Sequence, residues 1–310
     1  MPRLTCIATF YLGLIIASLL ASNSTAQAVN PGLDGNLYVA QVLKSLQAPV
    51  NVDAKLRFES LLYDQKIVGQ GIYQQGGQMS KRFTRWEMQT QIADQTASFV
   101  QIYDGIHLWS ARGMPSGRQV ARLDVERLQT GLQAHFRNTP MDERQLLLTS
   151  VAGQGGLVQL LADLLSNYNF QSPQPTQLNG LPVNALVGHW RETQLAKHWP
   201  GSSQLGSEKP PEWPQQLPHH VLLLVHKHNL FPCVVEHRTA GAAQYATSLS
   251  GLRPIDQPLM RYEIYEINFA VAVPDQRFEF NAGGSWTDQT KAVLEQLKGE
   301  LGEAEVSAAN

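Results

Sequence analysis

The sequence predicts a mainly β fold with α-helices, built on a strongly curved antiparallel sheet. From residue 54 to residue 112, short segments alternate apolar and polar residues with a period of two, which is typical of strands with one buried face. Turn-forming residues separate these segments, and the last turn, Asp104-Gly105, is typical of a tight hairpin. Stretches with helical spacing of apolar residues lie on both sides of this meander.

The first 28 residues have the layout of a secretory signal peptide. Arg3 precedes an apolar run over residues 11–20, and small residues lead to a cleavage site after Ala28. Because the apolar run is too short to span a bilayer, we expect cleavage there and a soluble, periplasmic protein. The alternative is an uncleaved membrane anchor.

The charge and the cysteine content of the chain limit which partners it can bind and how its fold is stabilised. The 310 residues carry a formal net charge of −2, so no nucleic-acid-binding surface is expected. Cys6 lies in the predicted leader, so Cys233 has no partner for an internal disulfide and the core alone must stabilise the fold. The predicted organisation is a signal peptide over 1–28, a single domain over 29–301 and a frayed tail over 302–310.

Helices and further strands are predicted along the rest of the chain. A helix over 35–46 precedes the meander, a second begins at the capping residue Asp124 and runs to about residue 136, and a third covers 156–168. The leucine stripe of the third helix is either ordinary core or the face of a movable lid. The remaining predictions are a hairpin over 176–191 around Asn179-Gly180, a short helix over 192–199, a surface loop over 200–218, a hairpin over 220–239 turning at Asn229-Leu230, strands over 260–273 and 277–280, and a terminal helix over 288–301.

Several short motifs follow one another along most of the predicted mature chain. They are Val68-Gly-Gln-Gly71, Trp86, Asp104-Gly105 with Leu108-Trp109, a leucine-rich helix after Leu146-Leu-Leu148, and finally Phe278-Glu-Phe280, Gly283-Gly284 and Asp288-Gln289. In this order they resemble the family of the periplasmic lipoprotein carrier LolA. The chain differs from the family at residues 76–79, where the family has a basic residue followed by proline, so cargo other than a lipoprotein stays open.

The resemblance implies an open, strongly curved antiparallel half-barrel whose concave face is apolar and covered by helices. It also implies a non-catalytic, monomeric carrier of lipid or lipoprotein acyl chains, without a cofactor, that exchanges cargo with membrane-associated donor and acceptor proteins. The expected apolar lining is Phe83, Trp86, Ile102, Trp109, Leu157, Leu160, Leu161 and Leu164, with Arg82 and Arg85 as polar residues of the cleft.

Two other classes of function stay open. The same fold family includes envelope-sensing modules that bind a protein partner, and such a module would use a sheet edge. A metalloprotein or enzyme would use the hairpin that places His226 opposite Cys233, since imidazole and thiolate are zinc ligands. Compact metal-ligand spacing and the common motifs of nucleophilic or phosphate-binding sites do not occur, so we expect no metal and no catalytic residues.

Overall fold

The structure is a computed structural model of the chain. It describes residues 34–48, 50–62, 65–78, 81–92, 94–133, 155–206, 211–239, 258–269 and 271–308. The predicted signal peptide and the motif at residues 146–148 lie outside this part. Within it, no helix has both the length and the apolar character needed to cross a membrane.

The described residues form helices and strands in a mainly β arrangement. The helices are α1 Gly35–Gln47, α2 Val125–Gln133, α3 Gly156–Asn167, α4 Glu192–His198 and α5 Thr290–Ala308. The strands are β1 Val52–Leu62, β2 Gln65–Gln78, β3 Lys81–Ile92, β4 Gln95–Tyr103, β5 His107–Met114, β6 Gly117–Asp124, β7 Tyr168–Phe170, β8 Gln174–Leu178, β9 Leu181–Trp190, β10 His220–His226, β11 Pro232–Arg238, β12 Pro258–Asn268 and β13 Thr287–Asp288.

The strands belong to one sheet with the order β13-β6-β5-β4-β3-β2-β1-β12-β11-β10-β9-β7, and β8 pairs with β9. The runs β3 to β6 and β9 to β12 are antiparallel, whereas the short β13 lies parallel to β6. In the described part of the chain, the end strands β13 and β7 do not pair with each other, so the sheet is open. The predicted fold class, a mainly antiparallel open sheet with helices, is confirmed.

Residue contacts divide the chain into two compact units. The first comprises residues 1–38, 57–69 and 168–263, and the second comprises 39–56, 70–167 and 264–310. The single domain expected over 29–301 stays a prediction.

In the first unit, the predicted hairpins form where turn chemistry allows them. Asn179 and Gly180, between β8 and β9, both have positive φ, which asparagine and glycine tolerate best. Strand β10 alternates buried and half-buried residues between its neighbours β9 and β11. The buried side chains of this unit include Val183, Leu186, Val221, Leu223, Val225, Val234 and Val235.

In the second unit, strands β3, β4 and β5 fix which side chains share a face of the sheet. Trp86 pairs with Gln101, which pairs with Ser110. Because successive side chains of a strand point to opposite faces, Trp109 lies on the face opposite to Trp86. Asp124 begins α2 as predicted, since its Oδ1 accepts a hydrogen bond from the Arg127 backbone N–H at 2.9 Å.

Some predicted elements differ from the observed ones. The strand expected over 277–280 is wrong: a 3-10 turn, Asp275–Phe278, occupies this stretch, because the apolar spacing of Phe278 and Phe280 reflects packing on a sheet face rather than strand pairing. The strand expected over 260–273 ends at Asn268. Strand β6 was not predicted, since its polar sequence becomes a strand only by pairing with β5. Helix α5 extends to Ala308, and the frayed tail expected over 302–310 stays a prediction.

Candidate functional site

One face of the sheet in the second unit lies beneath helix α3, and we call it the helix-covered face. In β3 every second residue from Arg82 to Thr90 is buried, and the residues between them are half-buried or exposed. Helix α3 contacts β3 on the buried side. A Cβ added at Gly156, the first residue of α3, would lie 3.2 Å from the Tyr73 ring and 3.5 Å from the Trp86 ring. Trp86 and Tyr73 in turn meet edge to face at 6.1 Å.

The leucine stripe of α3 is the apolar part of this cover. Leu157 and Leu161 have no solvent exposure and Leu164 has 2%, whereas Leu160 is half-buried. Gly155 and Gly156 before the stripe both have positive φ, 68° and 58°, which favours glycine at each position. The structure therefore joins α3 to the preceding chain through two adjacent residues with unusual backbone freedom.

The opposite face of the same strands is covered by residues 273–286, which we call the C-terminal segment. Phe83 packs against Phe278, with ring centroids 5.6 Å apart, and Ile102 is 1% exposed in a cluster with Phe278. Trp109 stacks on Phe280 at 5.2 Å. Arg85 also lies on this face, where its Nη1 donates to the Arg277 carbonyl at 2.6 Å.

The ten residues expected in one cleft are therefore divided by the sheet. The structure brings Trp86 and Arg82 together with the α3 leucines on the helix-covered face. It places the remaining four on the opposite face, and these are Phe83, Arg85, Ile102 and Trp109. A single lining that contains both groups does not form, because strand alternation separates them.

Arg82 is the charged group of the helix-covered face, and it is 5% exposed. Its Nη1 donates to the Leu46 carbonyl of α1 at 3.1 Å. Its Nε and Nη2 are buried, and among the described residues they have no hydrogen-bond partner. Burial lowers the pKa of Arg82, while the nearby Tyr73 and Tyr103 act in the other direction.

Polar side chains attach the covering helices to the sheet. Gln75 Nε2 donates to the carbonyls of Leu46 and Ala48 at the end of α1, both at 2.9 Å. Gln101 Oε1 accepts from the Gly156 backbone N–H at 3.2 Å, at the start of α3. Water can replace such bonds, so separating the helices from the sheet costs less than it would for a purely apolar contact of equal area.

Asp163 is an acidic group within the leucine stripe. It lies between Ala162 and Leu164, which are buried, and its own side chain is half-buried. Burial raises the pKa of Asp163 to about 7. The charge of α3 therefore changes within the physiological pH range.

A second site lies at the edge of β6, also in the second unit. An open cavity of about 540 Å³ is present there, and its lining is Ser110, Arg112, Arg118, Gln119, Val120, Ala121, Ser285, Trp286, Thr287 and Gln289. Strand β13 pairs only with Ala121 and Arg122 of β6. In the described residues, the outward edge of β6 before Ala121 has no strand beside it.

The hairpin of β10 and β11 forms, but the predicted position of His226 opposite Cys233 is wrong, because the His226 backbone N–H donates to the Phe231 carbonyl at 2.8 Å. A bulge in the register leaves Cys233 between Pro232, which pairs with Val225, and Val234. His226 Nδ1 lies 3.3 Å from the backbone N–H groups of residues 228 and 229. Burial raises the pKa of the Cys233 thiol to about 11, which disfavours a thiolate ligand. Within the described ranges, no group of three or more His, Cys, Asp or Glu side chains could hold a metal ion.

Several residues of the helix-covered face were not singled out in the sequence. Tyr73 and Gln75 are two residues apart on β2, so the period of a strand places them on one face. The Gly155-Gly156 pair stands directly before the leucine stripe, and adjacent glycines at a helix start indicate backbone freedom. Asp163 interrupts the stripe, and a single acid among leucines was its signal.

No protein-family model matches this chain, and no curated protein sequence matches it significantly. The structure is similar to several solved structures. The Pseudomonas aeruginosa MucA/MucB complex matches at 8% identity and TM-score 0.39, over 80% of this chain and 61% of that chain. The Mycobacterium tuberculosis lipoprotein LppX matches at 11% identity and TM-score 0.35, over 77% of this chain and 97% of the other. A LolA superfamily protein from Nitrosomonas europaea matches at 11% identity and TM-score 0.28, over 80% and 99%.

These are similarities of fold. A LolA superfamily structure is among the similar ones. The chain spans about three fifths of the length of the MucB complex chain that it matches. With identities near 10% and TM-scores below 0.5, the similarities say nothing about a ligand or a partner of this protein.

Proposed function

We propose that this chain is an exported, non-catalytic protein that binds the acyl chains of a lipid or lipidated protein on its helix-covered face. The observation that supports the proposal is that the start of α3, at Gly156, lies against Tyr73 and Trp86. The buried leucines follow directly, and Gly155 and Gly156 both have positive φ. Rotation about these glycines would lift α3 and expose an apolar sheet face together with the apolar stripe of the helix.

Burial of apolar surface favours such an exchange. An acyl chain that replaces α3 on the sheet would bury apolar surface, which contributes about 25 cal/mol per Å² before the cost of ordering the ligand. The hydrogen bond between Gln101 and Gly156 would be exchanged for bonds to water. The ligand therefore competes with the helix for one surface, and neither needs directional chemistry.

Export supports this role, because acyl chains need a carrier to cross an aqueous compartment. The predicted leader over residues 1–28 would deliver the protein to the periplasm, where membrane-associated proteins would donate and accept the cargo. A monomer suffices, since one helix-covered face holds the whole site.

The test is Leu161→Asp, which places a carboxylate at a position with no solvent exposure. We expect the variant to keep the circular dichroism of its sheet and to lose most of its affinity for an apolar fluorescent probe, 11-(dansylamino)undecanoic acid. Exposed Gln177→Asp on β8 is the matched control and should bind like the wild type. If Leu161→Asp unfolds the whole protein, α3 is part of the core and not a movable cover. If the affinity is unchanged, the probe binds at another site.

A second candidate function is the binding of an extended protein segment at the edge of β6. No strand of the described residues pairs with the edge of β6 before Ala121. This edge borders the open cavity, and an added strand could pair there. Arg112 and Arg118 border the same cavity, so an acidic segment would fit best. This would make the chain an envelope-sensing module rather than a carrier.

The edge function is tested by a photo-crosslinking amino acid placed at Gln119 in cells. We expect a cross-linked partner that disappears when Arg112 and Arg118 are both replaced by glutamate. The same cross-linker at Gln177 is the control and should give no such product. If the product persists after charge reversal, an acidic segment is not the partner.

A further inference from the structure

Arg82 has an open hydrogen-bonding edge inside the helix-covered face. We propose that this edge selects an acyl ligand with a free carboxylate, so that the site takes an ionised fatty acid in preference to an uncharged lipid. The inference rests on the proposed function, which it narrows from acyl chains in general to one class of head group.

The geometry of the guanidinium group carries the inference. Nε and Nη2 lie on one edge of the planar group, and their N–H bonds point in parallel, which matches the two oxygens of a carboxylate. Within the part of the chain that the structure describes, these two nitrogens have no hydrogen-bond partner. The third nitrogen, Nη1, is already bound to the Leu46 carbonyl. A carboxylate could therefore bind without displacing α1.

The surroundings of Arg82 provide no competing anion. Among the described residues no carboxylate forms an ion pair with it, and the titratable groups that act on its charge are two tyrosines. The hydroxyl of Tyr73 donates to Gln75 at 2.7 Å, and the hydroxyl of Tyr103 donates to the Gly105 carbonyl at 3.1 Å. Burial lowers the pKa of Arg82, as expected for a cation whose charge is not compensated.

The position of Arg82 also suits a ligand that lies beneath α3. Arg82 and Trp86 are four residues apart on the same face of β3, a distance of about 13 Å along a strand. A carboxylate held by Arg82 would send its alkyl chain along β3, past Thr84 and over Trp86 and Met88. Trp86 lies beside the start of α3, and Thr84 and Met88 are buried on the same face of β3. One residue thus anchors the polar end while the face beyond it takes the chain.

The experiment compares two probes that differ only in the head group. The purified protein is titrated at pH 8 with 11-(dansylamino)undecanoic acid and with its methyl ester. We expect the acid to bind about tenfold more tightly or better, as a two-point charge-assisted hydrogen bond provides. Arg82→Gln should bind the acid and the ester equally, and Arg82→Lys should keep only a small preference because ammonium lacks the fork.

Arg85→Gln is the matched control, since Arg85 lies on the same strand but on the opposite face, and it should keep the wild-type preference. Equal binding of acid and ester by the wild type overturns the inference, and so does a preference that survives in Arg82→Gln. The wild-type comparison needs no variant, so it tests the inference even when Arg82→Gln misfolds. If neither probe binds, the proposed function itself fails.

Competition separates a carboxylate from the other anion that could use the same fork. Laurate and dodecyl phosphate each contain twelve carbon atoms in an unbranched chain, counting the carboxyl carbon of laurate, and each is used to displace the bound dansyl acid. We expect laurate to displace it at the lower concentration. Displacement by dodecyl phosphate at a lower concentration than laurate would overturn the assignment of a carboxylate.

Discussion

Trp86 and Trp109 lie on opposite faces of the same sheet, although strands β3 and β5, which carry them, both pair with β4. Trp86 faces Tyr73 and the start of α3, whereas Trp109 stacks on Phe280 of the C-terminal segment. The two residues therefore belong to different contacts, and their substitution has separable consequences.

Replacing each tryptophan by leucine should have a different effect on the two faces of the sheet. Trp86→Leu reduces the aromatic surface of the helix-covered face, so we expect the affinity for the dansyl acid to fall about fivefold or more. Trp109→Leu removes the stacking on Phe280 and should lower the free energy of unfolding by about 1 to 2 kcal/mol while leaving probe affinity within about twofold. Titration and chemical denaturation of both variants check this. A fall in probe affinity for Trp109→Leu but not for Trp86→Leu would show that the ligand binds on the face covered by the C-terminal segment.

The glycines before α3 allow a test of local opening. Gly156→Ala places a Cβ at φ 58°, 3.2 Å from the Tyr73 ring, so we expect a cost of about 1 to 2 kcal/mol and faster hydrogen exchange of the α3 amides. Gly180→Ala is the control, because its φ is 82° but nothing lies within 4 Å of the added Cβ. Its effect should be confined to the amides of the β8–β9 hairpin. Equal exchange of α3 in both variants would exclude a hinge at Gly156.

Most of the fold was predictable from the sequence, and the division of the site was not. Alternation in β3 and β4 and the turn at Asp104-Gly105 are local patterns, so they identified strands and a hairpin correctly. Which face of β5 carries Trp109 depends on the register between strands, which local patterns do not determine. The packing of Phe278 on Ile102 joins residues far apart in the chain, so local patterns could not predict it. The apolar spacing near Phe278 led to the incorrect prediction of a strand.

The charge of Asp163 should make the seating of α3 depend on pH. Burial raises its pKa to about 7, so between pH 4 and pH 7 the folded protein binds more protons than the unfolded chain. The stability that this group contributes is therefore full at low pH and is lost as the pH rises through 7. Because the side chain is only half-buried, we expect an effect of about 1 to 2 kcal/mol.

Hydrogen exchange of the α3 amides at pH 5.5 and pH 8, corrected for intrinsic rates, measures this dependence. Wild-type protection should fall at the higher pH, and Asp163→Asn should remove the difference. Asp94→Asn, at an exposed turn before β4, is the control and should behave like the wild type. A pH dependence that persists in Asp163→Asn would assign the titration to another group.

His237 in the first unit should give the opposite dependence on pH. Burial lowers the pKa of His237 to about 4, below its ordinary value of 6.5, so the folded protein binds fewer protons than the unfolded chain between these values. The stability that it contributes is therefore full above pH 6.5 and is lost as the pH falls toward 4. We expect protection of the β10 and β11 amides to drop by about 1 to 2 kcal/mol between pH 7.5 and pH 5.

The variant His237→Gln should reduce this drop in protection, whereas His228→Gln at the exposed turn should not. Because Asp163 acts in the other direction, exchange must be measured separately in α3 and in β10 and β11. A loss of protection in both on acidification would contradict the assignment of the two groups.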